Sequence, residues 1–218
     1  MVTVESERLR RQKKWEEVLS LGGPDGLNAT TDIRSKLQIL KGYTGIFRDK
    51  EHTESLDPAG VTLGLHHTGS SYSDDLTEKT LLYHYPKTLN RAETYDTNEI
   101  RATKKACEFQ LPVFVIVNSG KLRNVRLGWI KKWDDEQEVF FIDLFKEWAS
   151  SPPSNSTWDE PIGDPTTRKH RGIKTFEGKE RDHTFAPRVK SYYGTRCAMC
   201  HITKSELIQG AHLISVKE

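Results

Sequence analysis

Three cysteines, an odd number, are too few to staple a chain of 218 residues, so a disulfide scaffold is excluded as the organising principle. There is no apolar run long enough to span a bilayer, and the opening Met1-Val-Thr-Val-Glu-Ser-Glu lacks a signal-peptide pattern. A soluble, cytoplasmic protein with no membrane partner is therefore expected. Charge of one sign is missing too. The 33 basic and 31 acidic side chains leave a net +2, so the total does not mark a nucleic-acid binder and only local clustering can. Clusters of that kind occur at Arg8-Leu-Arg-Arg-Gln-Lys-Lys and Thr167-Arg-Lys-His-Arg-Gly-Ile-Lys, although such runs are commonly solvated faces. No internal repeat is found.

What is present is a set of short apolar runs in a polar chain. Glu5 to Leu21 is rich in helix formers and is stopped by Gly22-Gly-Pro-Asp-Gly, which predicts an N-terminal helix. A second short helix is predicted from Thr31 or Asp32. From about Gly45 the runs Val61-Thr-Leu-Gly-Leu, Thr80-Leu-Leu-Tyr-His-Tyr, Val113-Phe-Val-Ile-Val, Val125-Arg-Leu-Gly-Trp-Ile and Val139-Phe-Phe-Ile are β-branched or aromatic and separated by turn signals. One interruption, residues 96–109, places Ile100, Lys104, Ala106 and Cys107 at helical spacing. After Trp148, prolines and small polar residues predict an extended linker. The chain thus divides into an N-terminal helical segment (1–44), a β-rich domain (45–148), a linker (149–185) and a terminal motif (186–218).

Two stretches carry chemistry. Thr68-Gly-Ser-Ser-Tyr-Ser-Asp-Asp puts Tyr72, Asp74 and Asp75 in a turn, and the strand that follows presents Tyr83 and Tyr85 on one face because strand side chains alternate. Carboxylates beside aromatic rings can cradle a planar, hydrogen-bonding ligand, although Asp-Asp in a turn and Tyr on a strand are also ordinary turn chemistry and packing. His66 and His67 precede that turn and could line the same pocket. At the other end, Arg196-Cys-Ala-Met-Cys-His offers Cys197 and Cys200 at zinc-knuckle spacing, a half site for a tetrahedral ion.

The first stretch resembles the SRA or YDG family of modified-base readers, whose motif runs Ser-Gly-Gly-Tyr-x-Asp-Asp, then Tyr-Thr-Gly. The later order is similar: Asn98-Glu-Ile-Arg-Ala leads into Pro112-Val-Phe-Val-Ile, followed by Val125-Arg-Leu-Gly-Trp-Ile and Val139-Phe-Phe-Ile. The resemblance covers about residues 45 to 146. It implies an α+β chain with an SRA/PUA-like β pseudo-barrel and flanking helices, which binds double-stranded DNA and flips out 5-methyl- or 5-hydroxymethylcytosine. Tyr72 and Tyr83 would stack on the base, with Tyr85 in reserve, and Asp75, beside Asp74, would accept from the exocyclic amine. Lys87, Arg91, Arg123 and Arg126 are expected at phosphates. The family's glycine-rich run after the second tyrosine is replaced here by His84-Tyr-Pro-Lys, and its Tyr-Asp-Gly triplet appears only as Arg126-Leu-Gly.

The terminal stretch resembles the start of an HNH, or ββα-metal, nuclease: the Cys pair, Leu207 and Ala211-His212 occur in order. That resemblance implies His212 as general base, a structural Zn2+ of which Cys197 and Cys200 are half the ligands, and a catalytic Mg2+ or Mn2+. The Asn, second His and second cysteine pair of that motif do not follow His212, so this chain is expected to bind without cutting. Together the two resemblances imply a prokaryotic modification-dependent restriction endonuclease, with which a homodimer is compatible. A modified-DNA-binding module alone, or a PUA-like RNA-binding protein with a zinc knuckle, are the rival readings.

Overall fold

The structure is a computed structural model that describes residues 1–42, 45–68, 76–88, 92–152, 158, 188–191 and 194. The chain is α+β. Helix α1 (Val4–Ser20) comes first, then a π-helical segment (Ala29–Lys36), β1 (Gly45–Arg48), a single turn α2 (Lys50–Thr53), β2 (Thr62–His67), β3 (Thr80–His84), α3 (Glu93–Glu108), β4 (Val113–Ser119), β5 (Leu122–Asp134) and β6 (Val139–Phe145). Among the described residues no helix is long and apolar enough to cross a membrane.

Each predicted strand run forms a strand, and all three predicted helical stretches exist near the expected bounds. The second helix differs in kind. Asn28 caps it, its side chain accepting from the Thr30 and Thr31 amides. Its carbonyl then accepts from Ile33 as well as Asp32, the wider i+5 winding that makes a π-helix. Spacing alone does not separate the two windings over eight residues.

The six strands form one mixed sheet in the order β1-β2-β4-β5-β6-β3. Only β2 and β4 run parallel, and the other pairs are antiparallel. The predicted pseudo-barrel would be closed; here β1 and β3 are edges, and no ladder joins them among the described residues. The sheet is nevertheless strongly rolled. The Tyr83 hydroxyl on β3 lies 3.5 Å from the His66 carbonyl on β2, although four spacings of about 4.8 Å would hold those strands roughly 19 Å apart if flat, beyond the reach of one side chain. Two bulges contribute to this curvature: pairing skips Leu63 opposite Phe47 and Arg48, and skips Lys131 between Ile130 and Lys132.

Helix α3 lies against the concave side. Ala106 packs into the concave cluster, and the Thr103 hydroxyl meets that of Thr62 on β2 at 2.9 Å. Farther along the same helix Lys104 reaches Asp135 in the β5–β6 turn. The convex side is covered in two parts. Trp15 and Val18 of α1, with Ile33, Leu37 and Ile39, pack on Leu63, Phe114, Ile116, Val125 and Leu127. At the β6–β3 end, Trp158 buries itself against Leu82, Val139 and Phe141, its ring edge-on to Phe141 with centroids 5.0 Å apart. Trp158 falls inside the expected linker, and Lys132 on β5 donates to the Ser191 hydroxyl at 2.9 Å, so residues beyond β6 touch the sheet at two points.

Helix α1 is joined to the body by buried charge. Glu7 and Arg11 are both fully buried, 2.8 Å apart, while Glu7 also accepts from Arg10 and Arg11 donates to the Pro112 carbonyl at 2.7 Å. Burial pushes the Glu7 carboxyl up, but the hydrogen bonds and charges of Arg10 and Arg11 outweigh it and hold the group below the usual carboxylate range. Its contribution is therefore complete above the unfolded carboxyl pKa of about 4.3 and is lost as pH falls through the lower folded value. Glu7→Gln is expected to cost about 3 kcal/mol or more, since it strands a buried guanidinium, and to flatten the loss of stability below pH ~4; denaturant unfolding at pH 7 and pH 3 measures both. A second position is set by close approach. A Cβ on Gly64 would lie 1.9 Å from the Ile39 carbonyl oxygen. Because backbone must then move, Gly64→Ala is expected to cost about 3 kcal/mol or more, the upper end of overpacking, in the same assay.

Candidate functional site

The two tyrosines predicted to share a face do so, and both pack on the concave cluster. Tyr83 sits on the edge strand opposite Phe140. Its hydroxyl reaches across the rolled sheet to the His66 carbonyl at 3.5 Å, which spans the opening between β3 and β2. Burial, and then the charge of the buried Glu99 on α3, push its phenol well above the ordinary range, so it stays protonated and acts as a donor.

Tyr85 follows β3, held by its amide on the Glu138 carbonyl at 2.8 Å. Its ring lies 4.7 Å from that of Phe140 at 40°, and its hydroxyl donates to Asp135 Oδ1 at 2.8 Å. The Lys104 ammonium pairs with the same carboxylate and stands 5.7 Å from the Tyr85 ring and 5.4 Å from the Trp133 ring. Burial, and then the bond to Asp135, raise the Tyr85 phenol far above its ordinary value; the Lys104 bond holds the Asp135 carboxyl low. Tyr85 is thus committed to a cluster that ties α3 to the β5–β6 turn.

At the carboxyl ends of the parallel strands lies a second polar group. His66 is buried, and its Nε2 is 2.8 Å from Asn118 Oδ1. The Asn118 amide nitrogen donates to the Thr68 carbonyl at 3.0 Å. This places His66, Asn118 and the Tyr83 hydroxyl together at the point where the chain enters residues 69–75.

Tyr72, Asp74, Asp75, Arg91, Cys197, Cys200 and His212 lie outside the described residues. Of the expected phosphate contacts, Lys87 is ion-paired with Glu138, and Arg126 pairs with Asp25 at 2.7 Å and donates to the Val125 carbonyl. Arg123 donates to the Leu122 carbonyl. Residues that the sequence did not single out are Asn118, Glu99 and Asp135, and Lys104 stood out only for its helical spacing. The signal for Asn118 was its place at the end of the apolar run that forms β4. Among the described residues no group of three or more His, Cys, Asp or Glu could hold a metal. Burial pushes the Cys107 thiol up to about 11, which makes it a poor nucleophile at neutral pH.

Comparison with protein-family models, with curated proteins and with solved structures gives no match.

Removing each phenolic oxygen separates the two tyrosines. Tyr85→Phe loses a bond to a carboxylate in a partly solvated site and is expected to cost about 1 kcal/mol. Tyr83→Phe loses a bond at the limit of hydrogen-bonding distance and is expected to cost less than that. Urea unfolding of the two variants beside the wild type tests the order.

Proposed function

We propose that this chain is the reader of a modification-dependent DNA endonuclease, which binds duplex DNA containing 5-methyl- or 5-hydroxymethylcytosine through a flipped base. The observation that carries the reading is the agreement between motif order and rolled sheet. Tyr83 stands on the strand that follows the Tyr72-Ser-Asp-Asp segment, its face turned into the concavity. The helix, Pro-Val strand and hairpin of the resembled family then follow as α3, β4, β5 and β6. A sheet rolled until Tyr83 on its β3 edge reaches the backbone of β2 supports the SRA/PUA-like pseudo-barrel as the finer description.

In this proposal Tyr72 and Tyr83 flank the extruded base. Extrusion costs a few kcal/mol of stacking, and aromatic faces with hydrogen bonds to the Watson–Crick edge restore it. Asp75, beside Asp74, accepts from the exocyclic amine, a role that suits an ionised carboxylate because it only accepts. Tyr85, committed to Asp135, acts as a wall of the pocket. Arg91 and Arg123 contact phosphate, and Lys87 and Arg126 do so by exchanging Glu138 and Asp25 for the DNA backbone. Cys197 and Cys200 fit half of a structural zinc site, and His212 is the general base of the HNH unit. The Mg2+ or Mn2+ that such nucleases use would supply charge stabilisation at the phosphate.

Binding to duplexes bearing cytosine, 5-methylcytosine or 5-hydroxymethylcytosine at matched salt is the test, since phosphate contacts dominate raw affinity. A modified duplex is expected to bind at least tenfold tighter, with the preference lost in Tyr72→Ala and Asp75→Ala and no cleavage by this chain in Mg2+ or Mn2+. Equal binding of all three duplexes refutes the reader, and tighter binding of RNA favours the PUA-like alternative.

A further inference from the structure

A carbonyl oxygen can only accept a hydrogen bond, and this fixes a proton two residues away. The Thr68 carbonyl must face a donor, so the side-chain nitrogen of Asn118, 3.0 Å from it, is the amide NH2. The other end of the same amide is then oxygen, and it faces His66 Nε2 at 2.8 Å. An amide oxygen only accepts, so Nε2 carries the hydrogen. In the neutral ring Nδ1 is consequently the acceptor. Asn118 has no second way to serve both neighbours.

The placement gives this lock a purpose. His66 is 6% exposed and lies on β2 beside β4, the His66–Ile116 register putting Asn118 two positions further along. Thr68 is the residue after His67, the last of β2. One side chain thus sets the hydrogen-bonding sense of a buried imidazole and holds the exit of the strand. The Tyr83 hydroxyl closes on the backbone of the same histidine from the opposite edge.

We propose that Asn118 is a positioning residue: it locks His66 as the Nε2–H tautomer and pins β2 at Thr68, and preference for modified cytosine depends on this lock. The second half rests on the reader function proposed above. Asn118→Asp keeps the shape and the acceptor toward Nε2 but cannot donate to Thr68, whereas Asn118→Ala loses both contacts. Long-range 1H–15N NMR of the full chain at pH 8, with His66→Gln to assign the ring, reads the tautomer without DNA. The Nε2–H form is expected in the wild type and in Asn118→Asp, and a mixture in Asn118→Ala. Binding to 5-methylcytosine and cytosine duplexes at matched salt is expected to show the preference reduced tenfold or more in both variants, with affinity for the unmodified duplex unchanged. A wild-type ring protonated on Nδ1 overturns the lock. Unchanged preference in the two variants, with the tautomer altered in Asn118→Ala, overturns its role in recognition. A wild type with no preference overturns the reader and the second half with it, while the NMR result still decides the first.

Discussion

The parallel pairing of β2 with β4 is the constraint on which the rest of the molecule depends. Adjacent parallel strands cannot be joined by a tight turn, so the chain between them must leave the sheet and return. Here that excursion carries β3 to the far edge, where it pairs with β6, and then lays α3 across the concave side. Tyr83 faces the His66 backbone because of this detour; a hairpin between β2 and β3 would have made them neighbours in one ladder. The same pairing sets the ends of β2 and β4 side by side, which is what lets Asn118 serve His66 and Thr68 together.

Rolling a six-stranded sheet needs a convex cover that allows it. At Gly64 the cover comes close to the sheet, with the Ile39 carbonyl lying where a side chain would begin. The buried Glu7–Arg11 pair holds the cover's first helix, and Arg11 reaches Pro112 just before β4. The charge pair therefore works as an orienting contact more than as a source of net stability, since desolvation offsets much of its attraction. Its position between α1 and the start of β4 links helix placement to the central strand.

Much of the local structure was legible in the sequence and little of the long-range pairing was. β-Branched runs such as Val113-Phe-Val-Ile-Val announce strands because they fit a pleated, buried surface, and the spacing of Ile100, Ala106 and Cys107 announced α3. Period-two alternation placed Tyr83 and Tyr85 on one side correctly. Strand order was not legible, because register depends on partners far along the chain. For the same reason the ties of Tyr85 to Asp135, Lys87 to Glu138 and Arg126 to Asp25 could not be read from spacing. Asn118 escaped notice because a polar residue closing an apolar run looks like a strand end until its two partners are known.

Trp158 changes what kind of connection follows β6. A Pro- and Ser-rich segment fastened only at Phe145 would sweep a volume set by its full contour. Fastened again by a buried indole, and once more where Ser191 meets Lys132, it returns to the sheet at fixed places. The connection after β6 is therefore met by the sheet at Trp158 and at Ser191 as well as at Phe145, so its described points lie on the sheet rather than away from it.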